Sequence, residues 1–492
     1  MWLPLHRNSV YAHGEWLKAD DADVVINPAT ETAISEAPIA SRSQVEVAIA
    51  AAREAFDHGP WPRMQVAERQ SKLSAFLDAI EKRAPELISL IVAETGSPRA
   101  LAKYLQYATP MQHARAMIQT ASRPAVTPLP VETAPDMGSD AMILGAGVLV
   151  RQPIGVVVAI TPYNFPFYLN VRKIVTALVA GCTVILKPSP YTPLEALILG
   201  DIADEVELPK GTLNILTGGK EVGASLTSDK RVDLVTFTGS DLVGASIQAQ
   251  GAATLKRMVM ELGGKSAMIV RPDADLHDAA ISGLAGFTVH SGQGCALLTR
   301  HIVHNSVRRA YVGELKTLAA AIKIGDPADS STTMGPLIRE IARERTKNYV
   351  DIAKSAGAKL VFGGERPPHL KKGFFYEATL FDDVENDSRI AREEVFGPIG
   401  VVIGYDTDAE AIRMANDNDY GLAGAIYTKN IGRAYEMAME IRTGGVQING
   451  GRGKMSSHVP FGGVKRSGYG RENGIEGLNE FTTIKTINFR GG

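Results

Sequence analysis

Residues 155–187, GVVVAITPYNFPFYLNVRKIVTALVAGCTVILK, decide the fold. The first six form a continuous apolar run, the pattern of a strand buried on both faces. A proline-flanked turn follows, then the helical stretch VRKIVTALVAG, then a second apolar strand, TVILK (183–187). Working outward, a helix near Leu194–Glu205 precedes the strand LNIL (213–216), and a short helix precedes the strand VDLVTF (232–237). Such alternation predicts a doubly wound parallel sheet with helices on both faces. Ligands bind beyond the carboxyl ends of the strands of such a sheet, and TPYNFP, KPSP and FTGS fall at those ends. A second α/β region spans about 258–470. Upstream, a short β segment leads to helices over Gln44–Phe56 and Ala67–Arg83, each with an apolar stripe of helical period. Residues 123–140 are rich in proline and turn formers and predict a protruding hairpin.

Composition narrows the function. A chain of 492 residues exceeds one ordinary core, and 45% hydrophobic with 22% charged residues is globular. The net charge of −2 offers nothing to nucleic acid or an anionic membrane. Two cysteines, Cys182 and Cys295, exclude a disulfide framework and point to a reducing, cytoplasmic setting. The first residues, MWLPLHRNSV, lack the apolar core of a secretion signal, and no apolar run reaches the roughly 18 residues of a membrane span. Ten scattered histidines, with no HExxH or CxxC, predict no metal.

Three side chains stand out, each with two readings. Cys295 ends FTVHSGQGC, where Gly292 and Gly294 let backbone approach a ligand. It is a nucleophile if a base or a lowered pKa serves it, and otherwise a buried structural thiol. Glu261 follows the strand RMVM and precedes two glycines, so it is either a general base in a cleft or an ordinary charged glutamate. The GGKS after it is not a phosphate loop, because Val259 occupies the place of the required glycine. Asn164, between Pro162 and Pro166, either donates to an oxyanion or was selected for its turn propensity. Gly239 and Ser240 open a helix and offer N–H groups to a phosphate, although Ser240 also suits a plain N-cap. No GxGxxG is present.

The ordered set resembles the aldehyde dehydrogenase superfamily over nearly the whole chain. It consists of TPYNFPF around Asn164, Lys187 in LKPSPYTP, FTGS (237–240), ELGGKS (261–266), GQGC ending at Cys295, EEVFGP (393–398) and PFGGVKRSGYGRE (460–472). The resemblance implies two doubly wound α/β domains plus a small β oligomerisation arm. A cofactor domain would comprise 1–124 and 148–257, a catalytic domain 258–470, and the assembly segments 125–147 and 471–492, which would pair with a neighbouring subunit in a homodimer or homotetramer.

It further implies NAD(P)-dependent oxidation of an aldehyde to an acid, with Cys295 forming a thiohemiacetal and then a thioester. Asn164 would hold the oxyanion, and Glu261 would activate water. NAD or NADP would lie on Ile160, Thr161, Pro162, Tyr163, Lys187, Ser189, Pro190, Gly219, Gly223, Phe237, Thr238, Gly239, Ser240, Val243, Leu262, Gly263, Glu394 and Phe396. In that set Lys187 serves the adenosine ribose and Glu394 the nicotinamide ribose. Pro190 stands where many NAD-preferring members carry a glutamate, which leaves room for a 2′-phosphate and tilts the cofactor toward NADP or dual use. Tyr163 replaces a common tryptophan. The substrate wall would comprise Phe167, Tyr168, Arg172, Val289, Met455 and Phe461, with Arg452 and Lys454 at its mouth. Arg172 either reads a carboxylate or polar ring substituent, as in a semialdehyde or aromatic aldehyde, or serves as a structural ion-pair partner. The rival functions are a CoA-acylating semialdehyde dehydrogenase, disfavoured by Glu261, and a non-catalytic protein on the same fold.

Overall fold

The apolar run at 155–160 becomes the strand Val156–Ile160, buried along its length, at the heart of an eight-stranded sheet. This is a computed structural model, and it describes residues 3–123, 125–138, 140–451 and 456–490. From the central strand the chain winds to one side through Thr183–Lys187 and Leu213–Ile215, all parallel. It then crosses to the other side as Leu234–Thr238 and Arg257–Glu261, again parallel. That reversal opens a crevice between the carboxyl ends of Val156–Ile160 and Leu234–Thr238. The residues that follow both strands line one cavity. The strand predicted at 232–237 begins at Leu234, because the Asp233 carboxylate turns aside to accept the Val156 N–H at 2.7 Å and a guanidinium N–H of Arg53 at 2.8 Å.

Ser9–Ala12 and Glu15–Lys18 extend the first sheet at one edge, and Asp21–Asn27 with Thr32–Ile39 forms a separate hairpin. The chain therefore opens with four strands rather than one short segment. A second sheet, of seven strands, places Ala267–Val270 between Arg300–His304 and Ala423–Tyr427, all parallel. The stretch 262–266 is thus the bridge from one sheet to the other.

The domain limits read from sequence shift. Arg257–Glu261 pairs within the first sheet, so that unit runs to Glu261 rather than to 257. Gly468–Tyr469 joins the same sheet antiparallel, and the helix Gly474–Glu480 packs on Thr109–Thr120 and Pro166–Ala180. Residues 471–480 therefore belong to the first unit and not to an assembly segment. The last strand, Thr482–Arg490, pairs along Met142–Pro153 of its own chain, from Thr482 opposite Pro153 to Arg490 opposite Gly145. With Val126–Pro128 and Glu132–Pro135 it makes a small sheet that leaves Met142, Leu144, Ile484, Ile487 and Phe489 exposed. No described helix is long and apolar enough to cross a membrane.

The helix Pro166–Ala180 corrects one site residue. Phe165, Tyr168, Leu169 and Arg172 recur at helical spacing and face the cavity. Phe167 lies about 100° round the helix from Tyr168. It is fully buried and stacks on Tyr107 at 5.5 Å in a core shared with Trp61, Ile174 and Leu178. Phe167 is a core residue and not part of the substrate wall. Phe167→Ala should cost about 3–5 kcal/mol in denaturant unfolding, the usual range for an aromatic cavity. A loss below about 1 kcal/mol would mean that the ring makes no such core contacts.

Candidate active site

Cys295 follows a turn held far from ordinary geometry. The helix Leu276–Thr288 ends, and His290 and Ser291 adopt left-handed conformations with φ of 49° and 55°. Residues of this kind persist only when their surroundings over-determine them. The His290 ring meets the Ser97 hydroxyl at 3.0 Å, and the Ser291 hydroxyl donates to the Gly335 carbonyl at 2.6 Å. The Gln293 amide donates to the His290 carbonyl at 3.1 Å, and its oxygen accepts the Ile338 N–H at 3.0 Å. The turn is thus pinned at each residue, and it delivers Cys295 to the wall of a cavity of about 410 Å³. Burial, with Glu261 and Glu394 adding to it, pushes the thiol up to about 12, so it rests protonated. From the opposite side, Asn164 donates its side-chain amide to the Gln293 carbonyl at 2.9 Å. One bond leaves the second N–H of that amide uncommitted, beside the thiol-bearing turn.

Glu261 is the last residue of its strand and is 1% exposed. Neither of its carboxyl oxygens has a hydrogen-bond partner among the described residues. It lies beneath the cavity wall rather than in it. Gly462 makes its position possible, because a Cβ there would come within 2.6 Å of a Glu261 oxygen. Burial first, then the nearby Glu472, pushes this carboxyl well above the usual range. Glu472 is itself ionised, because Arg172 and Lys173 outweigh its burial. Lys173 donates to it at 2.5 Å and to Thr236 at 2.8 Å, and Arg172 is ion-paired with its other oxygen. Arg172 also lies over the rings of Tyr168 (4.9 Å) and Phe461 (5.5 Å). Burial opposes its charge, but Glu472, Tyr168, Glu261 and Cys295 outweigh that effect.

The other half of the cavity is made of strand ends. Pro162, Tyr163, Thr238, Gly239, Ser240, Leu262, Gly263, Glu394 and Phe396 line it. The Glu394 carboxylate accepts the Gly264 N–H at 2.9 Å, and a Cβ on Gly263 would come within 2.5 Å of its oxygen. This carboxyl is pushed up to about 7 by burial. Phe396 holds a φ of 56° and meets Tyr163 edge-on at 6.1 Å. Ser240 caps the helix Asp241–Ala252, accepting the Val243 N–H.

Of the other residues read from sequence, Ile160, Thr161 and Phe237 lie behind this wall, and Val243 is exposed on the helix. Lys187 is buried and reaches only the Pro188 carbonyl, at 3.0 Å; burial pushes it down to about 8. Gly223 lies against its stem, and Gly219 caps the adjoining helix Lys220–Ser228. Ser189 is buried after Lys187, and Pro190 opens on a separate groove of about 700 Å³. In the half of the cavity away from those strand ends, Tyr168, Arg172, Val289 and Phe461, read from sequence as substrate wall, line it. Met455, Arg452 and Lys454 lie outside the described residues.

Sequence reasoning missed several lining residues: Leu105 on a π-helical turn, Phe165, Leu169, Leu297 and Arg345. The helical repeat 165/168/169/172 would have found Phe165 and Leu169. Arg345 comes from the helix Glu340–Ser355, where its guanidinium donates to the Glu394 carbonyl. Arg339, stacked 4.1 Å over Tyr191 beside Pro190, was also missed. No local motif marks either arginine. Lys173 and Glu472 were unassigned too, although Glu472 ends a motif that the sequence singles out.

The chain was compared with known proteins. Residues 16–487 match the sequence profile described as the aldehyde dehydrogenase family. An aldehyde dehydrogenase 1 of Tanacetum cinerariifolium is 37% identical over 97% of this chain and 94% of its own. A chloroplastic betaine aldehyde dehydrogenase of Atriplex hortensis is 36% identical over 99% and 97%. A crystal structure of a Staphylococcus aureus betaine aldehyde dehydrogenase with NAD+ superposes with a TM-score of 0.93 at 34% identity, covering 98% of this chain and 94% of that one.

A buried, protonated thiol has a measurable signature. Iodoacetamide labelling of Cys295, followed by peptide mapping to separate it from Cys182, should accelerate about tenfold per pH unit up to about pH 10 without levelling, because only the thiolate reacts. Levelling just above pH 9 would show a thiol unaffected by its surroundings, whose ordinary value is about 8.5.

Proposed function

The chain belongs to the aldehyde dehydrogenase family, and on that premise we propose that it oxidises an aldehyde to a carboxylic acid through a thioester on Cys295. The observation that supports this reading is the cavity between the two sheets, where Cys295 and Asn164 line the wall and the Glu261 carboxyl lies behind it, close enough to act on the Cys295 thiol. The Cys295 thiol gives up its proton to solvent in the cavity as its sulfur attacks the aldehyde carbon, and the new oxyanion accepts from the free N–H of Asn164 and from the Cys295 backbone. When bound, NAD(P)+ would supply the electrophilic ring that takes up the two electrons and the hydrogen of oxidation. Glu261, after losing to solvent the proton that burial makes it keep, draws a proton from water as that water attacks the thioester; the C–S bond breaks, the carboxylic acid leaves, and the Cys295 thiolate takes up a proton again.

The strand-end half of the cavity suits a dinucleotide. Thr238 leaves its hydroxyl buried without a partner, Gly239 and Gly263 give bare backbone, and Glu394 and Lys187 stand ready for ribose hydroxyls. Pro190 adds no carboxylate against a 2′-phosphate, so either NAD or NADP fits. The S. aureus relative was crystallised with NAD+.

Charge sets the substrate class. Relatives are named for betaine aldehyde and aminoaldehydes. Here Arg172 keeps its charge in the substrate wall, and the nearby carboxylate, Glu472, is already shared by Arg172 and Lys173. A cationic aldehyde would meet like charge, whereas the rings of Phe165, Tyr168 and Phe461 suit an aromatic aldehyde and Arg172 suits a semialdehyde carboxylate. The exposed apolar sheet built from the hairpin and the last strand is the surface that a second copy would cover, in a homodimer or homotetramer.

Cys295→Ala should abolish aldehyde-dependent NAD(P)H formation, and turnover within about tenfold of wild type would overturn the mechanism. On a panel of aldehydes, wild type should turn over benzaldehyde or succinate semialdehyde with kcat/KM at least about tenfold above betaine aldehyde. Arg172→Leu should narrow that gap. Preference of the wild type for betaine aldehyde would refute the charge argument.

A further inference from the structure

Two glutamates with no part in that mechanism meet in the interior. Glu94, in the helix Ala84–Thr95, and Glu195, in the helix Leu194–Glu205, are both fully buried. Glu94 accepts the backbone N–H groups of Leu194 (2.9 Å) and Glu195 (3.3 Å), at the start of the second helix. A helix N-terminus favours one negative charge in that place. The Glu195 carboxyl in turn accepts the Asn170 side-chain amide at 3.1 and 3.0 Å. The Asn170 oxygen accepts the Thr161 hydroxyl at 2.6 Å, and Thr161 opens the turn that carries Asn164. An unbroken chain of buried contacts thus runs from the carboxyl pair to the oxyanion donor.

The pair has no counter-charge. Among the described residues no lysine, arginine or histidine is paired with either carboxyl. The helix Pro166–Ala180 presents the neutral Asn170 to Glu195. Beyond Glu94 on its own side, Ser97 meets His290, which burial pushes down to about 4 and so keeps neutral. Two carboxylates in a dry interior without a cation cannot both ionise. Burial pushes Glu94 up to about 8, and burial with the charge of Glu94 pushes Glu195 well above the usual range.

We propose that Glu94 and Glu195 hold one proton between them, so that only one of the two ionises, and that this neutral–charged pair is a positioning device which holds the Asn164 turn through Asn170 and Thr161. The positioning half of the inference rests on the reading of Asn164 as oxyanion donor, whereas the proton-sharing half does not. Loss of the shared proton at alkaline pH places a second charge beside Asn170, forces the two helices apart and loosens the turn.

The sign of the stability effect follows from linkage. In the unfolded chain both carboxyls ionise near their ordinary values, about 4.3. The folded protein keeps a proton up to a pH of about 8. Between those limits the folded state binds more protons than the unfolded one, so this pair lowers stability progressively as pH rises. A glutamine needs no proton and removes that slope.

The experiment compares wild type, Glu195→Gln and Glu94→Gln by thermal unfolding and by kcat/KM for one aldehyde, from about pH 6 to pH 9. The melting temperature of Glu195→Gln relative to wild type should rise by about 2–4 °C between pH 6 and pH 8.5. Its ratio of kcat/KM at pH 9 to that at pH 7 should exceed the wild-type ratio about threefold. Glu94→Gln should flatten the melting profile in the same way and serves if Glu195→Gln does not fold. Wild-type melting profiles in both variants would overturn the shared proton. A flattened melting profile with an unchanged activity profile would overturn the link to Asn164. Absence of aldehyde oxidation in the wild type would fail the functional reading alone, because the melting series still decides the pair.

Discussion

Two cations in a closed interior require a carboxylate, and Glu472 supplies it to both. Arg172 and Lys173 are consecutive on one helix, and their charges converge on the two oxygens of this side chain. The contact ties the returning segment 460–480 to the helix beneath the cavity, across about 300 positions of the chain. Removing one partner of such a group leaves uncompensated charge, at a typical cost of about 3–5 kcal/mol. The same contact sets the chemistry above it. Burial first, and then the negative charge of Glu472, makes the neighbouring Glu261 keep its proton. Because Arg172 is held in place and charged, it lends the cavity wall a positive charge.

The site therefore depends on which carboxyls are charged and which are not. Five glutamates lie in or behind it, and four of them have raised pKa values: Glu261, Glu394, Glu195 and Glu94. Only Glu472, with its two cations, is held below the usual range among these five. Burial dominates wherever no cation answers it. The same force keeps the Cys295 thiol protonated, so this thiol and the Glu261 carboxyl are both uncharged.

Much of this architecture was legible in the sequence, because periodicity is local. The buried strand at 155–160 and the helix Leu194–Glu205 read directly from apolar runs. The strand-end motifs placed Asn164 and Gly239 at one cavity, because a winding reversal brings strand ends together whatever the loops contain, whereas Glu394, which precedes the strand Ile399–Tyr405, was placed there only by the family resemblance. Phe167 was misplaced because an aromatic next to a lining residue looks like lining until the helical angle is counted. The partner of Arg172 and Lys173 was not legible, since an ion pair spanning about 300 positions leaves no local pattern, and neither was the approach of Glu94 to Glu195 across 101 positions. The C-terminal strand pairs with its own hairpin along one side, a pairing the sequence left open because a β-branched strand does not specify whose edge it will join.

The central claim is that Cys295 carries the acyl group and Glu261 releases it. Intact-mass analysis of Glu261→Gln, mixed with an aromatic aldehyde and NAD(P)+, tests it most directly. The account predicts one stoichiometric acyl adduct, mapped to the Cys295 peptide and formed with a single equivalent of NAD(P)H. Steady turnover by that variant at the wild-type rate, with no adduct on Cys295, would contradict it.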